Sequence, residues 1–319
     1  MSDVLVRAEG LHVRFGERQA LDGLSFHVAA GEVVGLLGPN GAGKTTALSV
    51  LATLRRPNAG TATVGGYSTV EQPAQVRRLL GFVPQALAIY PTLTAHENLT
   101  FFARLLGLYG ARGREAVQSA LALVGLEERR DDIVSTFSGG MQRRLNLACG
   151  LLHRPRVVLL DEPTVGVDPQ SRERIFTAIR AQAAAGAAAF YSTHYLEEAE
   201  RLCDRVLLID HGRTLATGTP AALIEEVGSG LRLDVTTRTT LPAGWHAEVA
   251  GVQAIGEFAS ETPASVRGTS VQVRVDTLAA APRVLERAAA LGGEVLEFHL
   301  HQPGLTDVFF KLTGRELRD

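Results

Sequence analysis

The stretch EVVGLLGPNGAGKTT, Glu32 to Thr46, decides how the chain is read. Its first part, Val33 to Leu37, is apolar without alternation, which marks a strand buried on both faces of a sheet. Gly38 follows at once and opens GPNGAGKT, which fits the spacing G-x-x-x-x-G-K-[ST] and runs into a helical pattern. Strand, glycine-rich turn and helix together are the context in which this spacing holds a phosphate. Glycines at 38, 41 and 43 admit backbone conformations closed to other residues, so successive N–H groups can turn towards phosphate oxygens. The candidate cradle is Gly38, Pro39, Asn40, Gly41, Ala42, Gly43, Lys44, Thr45 and Thr46, with the positive end of a helix behind it. Lys44 would place a cation on the β and γ phosphates, and the Thr45 hydroxyl would help to hold Mg²⁺.

Composition narrows the remaining classes. With 319 residues, 45% hydrophobic and 21% charged, the chain can bury a substantial core and carries more than one domain. A formal net charge of -2 provides no basic field of the kind that non-specific nucleic-acid binding uses, so no nucleic-acid partner is expected. Cys149 and Cys203 lie far apart and outside any CxxC, which suggests neither a disulfide framework nor a zinc site and fits a reducing cytoplasm. The opening MSDVLVRAEG lacks the basic and then apolar pattern of a secretory signal, so the chain is expected to stay inside the cell. Apolar runs are strand-sized, far short of the roughly 20 residues of a membrane-spanning helix. Membrane association is therefore expected only through partners.

A second apolar run, Val157 to Leu160, ends in VVLLDEP and delivers Asp161 and Glu162 at the carboxyl end of a buried strand, where open α/β sheets place their ligands. Alone, an Asp-Glu pair is an ordinary solvated strand end; beside a phosphate loop the two carboxylates take different roles. Asp161 is placed to hold Mg²⁺, and Glu162 to polarise the water that attacks the γ-phosphate. Further strands at Ala187 to Ser192 and Val206 to Ile209 flank a helix-like stretch, Tyr195 to Leu202, and this alternation implies a parallel sheet. His194 ends one of these strands and could reach the γ-phosphate as a donor or orienting group. Apolar positions recurring at three and four residues in Leu99 to Leu108 and Arg114 to Leu123 predict helices, read as a helical subdomain inserted in the α/β core.

After about residue 226 the texture changes. Gly228, Ser229 and Gly230 read as a linker, followed by the strand LRLDVTT, the strand VQVRVD, a helix near Ala279 to Leu291, the strand EVLEFHL and a short helix around Asp307 to Leu312. His299 and His301 share one face of a strand, but two histidines without further ligands make no metal set.

One more stretch, TFSGGMQRRLNLA from Thr136 to Ala148, resembles the signature motif of the ATP-binding cassette (ABC) ATPases. The order is also the family's: phosphate loop, Gln85 in GFVPQ, SGG, VVLLDEP, GVDP and His194, across residues 1 to about 225. The fold class implied is α/β, a P-loop ABC ATPase core over residues 1-226 with a helical insert at about 86-150, plus a small C-terminal α+β domain over 231-319. Phe137 and Met141 stand where the commonest signature has Leu and Gln, which resembles bacterial drug-resistance exporters of the daunorubicin (ABC-2) type; the ending GLTDVFFKLTGRELRD, Gly304 to Asp319, looks like the tail of the same group.

The resemblance implies ATP and Mg²⁺ as ligands and hydrolysis in a head-to-tail homodimer at the cytoplasmic face of the membrane, beneath separate integral membrane permease subunits. Ser138, Gly139 and Gly140 would complete the site of the opposite copy, Asp168 would reach across the dimer, Gln85 would contact Mg²⁺ or the attacking water, and Phe15 would stack on adenine. The segment YPTLTAHENLTFF, Tyr90 to Phe102, would receive the membrane subunit's coupling helix. The competing reading, a soluble ABC ATPase acting on ribosome or DNA, usually comes with two cassettes in one chain or a long coiled-coil insert, and neither is present. A non-catalytic nucleotide-binding regulator is argued against by the intact Lys44, Asp161, Glu162 and His194.

Overall fold

The structure, a computed structural model, describes residues 3–227, 231–242, 244, 245, 249, 252–256, 269–275 and 277–314. The linker read at Gly228 to Gly230 and the last residues of the tail, Arg315 to Asp319, lie outside the described residues. Two compact units divide the chain, one ending at Pro220 and the other starting at Ala221.

The first unit opens with a hairpin, β1 (Val4–Phe15) and β2 (Arg18–Ala29), and continues with β3 (Val33–Leu37) and α1 (Lys44–Leu51). Then come β4 (Ala59–Val64), β5 (Tyr67–Ser68), α2 (Pro73–Leu79) and β6 (Leu80–Val83). Three longer helices follow: α3 (Ala95–Leu105), α4 (Gly110–Val124) and α5 (Gly139–Leu151). The chain returns through β7 (Val157–Asp161), α6 (Pro169–Ala184), β8 (Ala188–Thr193), α7 (Leu196–Leu202), β9 (Arg205–Asp210) and β10 (Arg213–Gly218).

The central sheet has the order β10-β9-β3-β8-β7-β6, with β9, β3, β8, β7 and β6 parallel and β10 antiparallel at the edge. Every residue of β3 and β7 is buried, as their unalternating apolar pattern requires. Burying each such Val or Leu contributes about 1.5–3 kcal/mol, so these strands fix the position of whatever their ends carry. Because the strands are parallel, the carboxyl ends of β3, β6, β7 and β8 fall on one edge of the sheet. Leu37 of β3 is in register with Thr193 of β8, and Asp161 of β7 with Ser192. A second, antiparallel sheet of order β2-β1-β4-β5 packs its apolar side chains into the same core. The sequence reading had no place for it.

In the helical segment, α3 begins with a capping box in which the Thr94 side chain accepts from Glu97 N and the Glu97 carboxylate accepts from Thr94 N. The fully buried Asn98 accepts from Tyr90 N at 2.7 Å and donates to the Tyr90 and Thr94 carbonyls, which pins the loop leading into this helix.

The second unit holds α8 (Pro220–Val227), β11 (Leu231–Thr237), β12 (Val252–Gly256), β13 (Thr269–Val275), α9 (Ala281–Ala290), β14 (Val295–His301) and α10 (Leu305–Thr313). Its antiparallel sheet, β12-β13-β11-β14, carries a core of Leu233, Val235, Val273 and Val284 among others. His299 and His301 are each beside a carboxylate, Glu297 at 2.8 Å and Asp234 at 3.2 Å, and no group of three or more metal-ligating residues occurs among the described residues.

Candidate functional site

A loop between β3 and α1 carries the glycine-rich stretch. Gly43 has φ 111°, in the left-handed region, and a Cβ there would sit 2.5 Å from the Ala20 carbonyl oxygen. A Cβ at Gly38 would likewise strike the Ile209 carbonyl. The loop is thus wedged between β2 and the end of β9, with room for hydrogen atoms only. Gly43→Ala is expected to lower stability by about 1–3 kcal/mol and to distort the amide cradle; thermal denaturation together with nucleotide titration checks both effects.

Lys44 is buried at 5% exposure, and its ammonium donates to the Gly38 carbonyl at 2.7 Å and the Pro39 carbonyl at 3.2 Å. It also forms an ion pair with Glu162 Oε1 at 3.2 Å. The loop, β7 and β8 therefore meet at one point. Thr45 Oγ1 donates to Asp161 Oδ1 at 3.3 Å, and Ser192 Oγ donates to the same oxygen at 2.7 Å. Burial pushes the Asp161 carboxyl above its usual range, against the opposing pull of the Ser192 and Thr45 hydrogen bonds.

Glu162 adopts a left-handed backbone, φ 46°, uncommon for a residue with a long side chain. Its N–H is taken by the Ser192 carbonyl at 3.2 Å and the Ser192 hydroxyl at 3.1 Å, which hold the turn. Gln85 Nε2 donates to Glu162 Oε2 at 3.1 Å. His194 Nδ1 stands 3.2 Å from Glu162 Oε1, without the alignment of a hydrogen bond. One carboxylate thus faces a lysine, an amide and an imidazole.

Of these groups, Lys44, Thr45, Gln85 and Glu162 open onto a cavity of about 440 Å³ lined also by Phe15, Arg18, Ala20, Asn40, Gly41, Gly43 and Thr46, whereas Asp161, Ser192 and His194 stand behind them and do not line it. Its mixed lining, with glycine backbone and a cation at one end and an aromatic ring at another, suits a phosphate-bearing ligand with a flat base. Ala42 is buried at 2% exposure and does not line this cavity. Sequence reasoning missed three participants. Arg18, the first residue of β2, lines the cavity and donates to the Gly41 carbonyl at 3.4 Å. Arg55 lies 4.0 Å over the Phe15 ring, a cation–π contact. Ser192 joins Asp161 to Glu162; the run of hydroxyls in YST ahead of His194 was the available signal.

Ser138, Gly139, Gly140 and Asp168 do not line this cavity. They form a group of their own. Ser138 caps α5 by accepting from Met141 N at 3.2 Å, and both Ser138 and Gly139 are exposed. Asp168 caps α6 through Ser171 N at 2.8 Å, and this backbone hydrogen bond holds its carboxyl below the usual range. A Cβ at Gly140 would sit 2.5 Å from Asp168 Oδ2, so the two caps touch.

The ABC transporter family profile matches residues 21–165. The chain is 40% identical to the daunorubicin resistance ATP-binding protein DrrA2 of Streptomyces coeruleorubidus over 98% of this chain and 96% of that one. The chain belongs to the ABC transporter ATP-binding proteins. It is also 37% identical to the linearmycin resistance ATP-binding protein LnrL of Bacillus subtilis, over 99% of this chain and all of that one. With the Nod factor export ATP-binding protein I of Burkholderia thailandensis it shares 39% identity over the whole length of both. Among solved structures, an ATP-binding subunit of an ABC transporter aligns with TM-score 0.64 and 31% identity over 70% of this chain and 93% of that one. A dimeric ATP-binding cassette in a post-hydrolysis state, bound to ADP and Pi, aligns with TM-score 0.61 and 25% identity over 67% of this chain and 98% of that one. This ABC protein is the ATP-hydrolysing subunit of an exporter. The relatives give no support to action on ribosome or DNA. ABC subunits of this kind bind ATP, dimerise and work with membrane components. No described helix of this one is long and apolar enough to cross a membrane.

Proposed function

We propose that this chain forms a head-to-tail homodimer at the cytoplasmic face of the membrane, hydrolyses Mg-ATP at two composite sites, and so drives export through separate membrane-spanning subunits. The observation that carries this reading is the partition of the polar groups. Lys44, Thr45, Asp161, Glu162, Gln85 and His194 gather on one sheet edge, whereas the exposed Ser138 and Gly139 stand at the start of another helix, outside the cavity. A helix end with an available hydroxyl and amides is an anion site in want of an anion, and a second copy's γ-phosphate supplies one.

Within one site, the roles follow from chemistry. Lys44 exchanges the Glu162 carboxylate and two carbonyls for the β and γ phosphate oxygens, a stronger charge-assisted set. Thr45, Asp161 and Gln85 offer oxygen donors that would suit Mg²⁺, and the buried Asp161 carboxylate, whose charge burial disfavours, would be stabilised by a cation held there. When bound, Mg²⁺ neutralises charge that develops on the phosphates. Glu162, released from Lys44, accepts a proton from the attacking water, while His194 orients the γ-phosphate. Phe15 stacks on the base, with Arg55 covering its ring, and Asp168 reaches the second copy.

The cargo of the named relatives differs, from linearmycin and daunorubicin to Nod factor. Cargo choice therefore belongs to the membrane subunits, and a drug or another hydrophobic compound is the class proposed here. Their docking surface is the rim of α3: Tyr90, Phe101, Leu105 and Tyr109 are exposed, Leu105 at 68%, next to a cavity of about 260 Å³ lined by Phe82, Pro84, Phe102, Leu105 and Leu106 among others. A coupling helix seated there buries an aromatic and aliphatic interface core. Leu105→Asp is expected to weaken capture of the membrane subunits by at least ~10-fold while basal ATP hydrolysis stays unchanged, as read by co-purification and phosphate release. Undiminished co-purification would overturn the docking assignment.

A further inference from the structure

Beneath the site lies a second buried carboxylate that the hydrolytic scheme does not use. Glu198 of α7 is 2% exposed. One of its oxygens, Oε2, accepts from three hydroxyls: Tyr191 at 2.7 Å, Thr164 at 2.8 Å and Thr193 at 3.0 Å. Its other oxygen stands 3.1 Å from Arg172 Nε of α6, an ion pair without hydrogen-bond alignment. An ionised carboxylate only accepts, so it suits a place where donors converge from β8, from the loop after β7, and from α6. An apolar side chain would fill the same space without the desolvation penalty of a buried charge. What the carboxylate adds is direction: three hydroxyls aimed at one atom hold three backbone segments in one arrangement.

Two of these segments carry site residues. Thr193 precedes His194 and also accepts from Tyr195 N at 2.9 Å, so its hydroxyl sets the turn that presents the imidazole to Glu162. Thr164 begins the loop that ends at Asp168; its carbonyl accepts from Val167 N at 3.2 Å, and Asp168 packs against Gly140. Hydrogen bonds, adjacent residues of the chain and packed caps thus connect His194, through Thr193, Glu198 and Thr164, to Asp168 and the Ser138–Gly140 segment.

We propose that Glu198 is a positioning residue for hydrolysis: through Thr193 it fixes His194 against Glu162, and through Thr164 it holds the loop of Asp168 beside Gly140. One carboxylate thereby ties the γ-phosphate end of this chain's own site to the segment it offers to a second copy. The inference rests on the reading of Glu162 and His194 as hydrolytic groups. Its test is steady-state ATP turnover and ATP binding by the full chain carrying Glu198→Gln, Thr193→Val, Thr193→Ser or His194→Ala, and the double variant Glu198→Gln/His194→Ala. Glu198→Gln and Thr193→Val are expected to lower kcat by about 10- to 100-fold with ATP affinity retained, because neither residue lines the nucleotide cavity. Thr193→Ser restores turnover by restoring the hydroxyl. In the His194→Ala background Glu198→Gln loses the part of its effect that runs through His194 and keeps only the part that runs through the Asp168 loop, so the double variant is less impaired than the product of the two single defects. A merely structural role would instead multiply the two defects in the double variant and lower ATP binding along with turnover, and that result overturns the proposal. Wild-type turnover by Glu198→Gln does so too. If Glu162→Gln and His194→Ala themselves hydrolysed ATP at the wild-type rate, it is the underlying reading that would fail.

Discussion

Replacing Glu162 by Gln lowers ATP turnover by about 10²- to 10⁴-fold while ATP still binds. The substitution keeps side-chain volume and leaves an amide oxygen where Gln85 donates, so the packing around β7 stays intact. What goes is the carboxylate proposed to accept a proton from the attacking water. Lys44 loses an ion-pair partner at 3.2 Å but keeps the Gly38 and Pro39 carbonyls and, with nucleotide present, gains phosphate oxygens. Phosphate release under saturating Mg-ATP, alongside equilibrium binding of a labelled nucleotide, separates the two effects. Turnover within a small factor of the wild type would remove Glu162 from its role and shift the burden to a water oriented by His194 alone.

Lys44→Ala carries the second large effect, and it is compound. Loss of one preorganised donor to the transferring phosphoryl group lowers hydrolysis by ~10²–10³-fold, and ATP affinity falls with it. Stability falls as well. Lys44 and Glu162 are both almost fully buried, and removing one member of such a pair costs about 3–5 kcal/mol; Gln85 and His194, still facing Glu162, bring the expected figure to the lower end. The double variant Lys44→Ala/Glu162→Gln is therefore expected to melt higher than Lys44→Ala alone, because no unpaired carboxylate is left behind. Denaturant or thermal melts of the four proteins in this cycle check the sign. A double variant less stable than Lys44→Ala would show that Glu162 does not depend on the lysine.

The gathering of Lys44, Asp161, Glu162, Gln85 and His194 was legible because parallel sheets bring the residues that follow their strands to one edge. Val33–Leu37 and Val157–Leu160 declare themselves as buried strands by their composition, and polar residues directly after them have only one edge to occupy. Strand ends at Val83 and Thr193 bring Gln85 and His194 to the same edge. The antiparallel sheet was not legible, for a local reason. In β1 the alternation of Val6 to Glu9 and that of Leu11 to Phe15 are out of phase across Gly10, where the pairing with β2 shifts register, so VLVRAEGLHVRF does not keep one period-two pattern along its length. Arg18 and Arg55 escaped notice because a basic residue at a strand or helix end is the commonest of features; only the folded chain shows that one lines the cavity and the other covers Phe15. Glu198 was hidden differently. In YLEEAE it reads as one acid among several on a solvated helix, yet it alone turns inward to collect hydroxyls from residues 164, 191 and 193.

Sequence order also could not show that the SGG segment and Asp168 belong together. Their contact, through Gly140, joins two helix caps separated by all of β7. It places the exposed Ser138 hydroxyl on a firm base, which fits the donor role proposed for it.

The most direct test of the composite site is the sedimentation of the Glu162→Gln protein with Mg-ATP, alone and with Ser138→Arg added. The account predicts a particle of two chains and two nucleotides in the first case, and in the second a single chain that still binds one nucleotide. A two-chain particle that persists with Ser138→Arg, or a single chain in both cases, would contradict it.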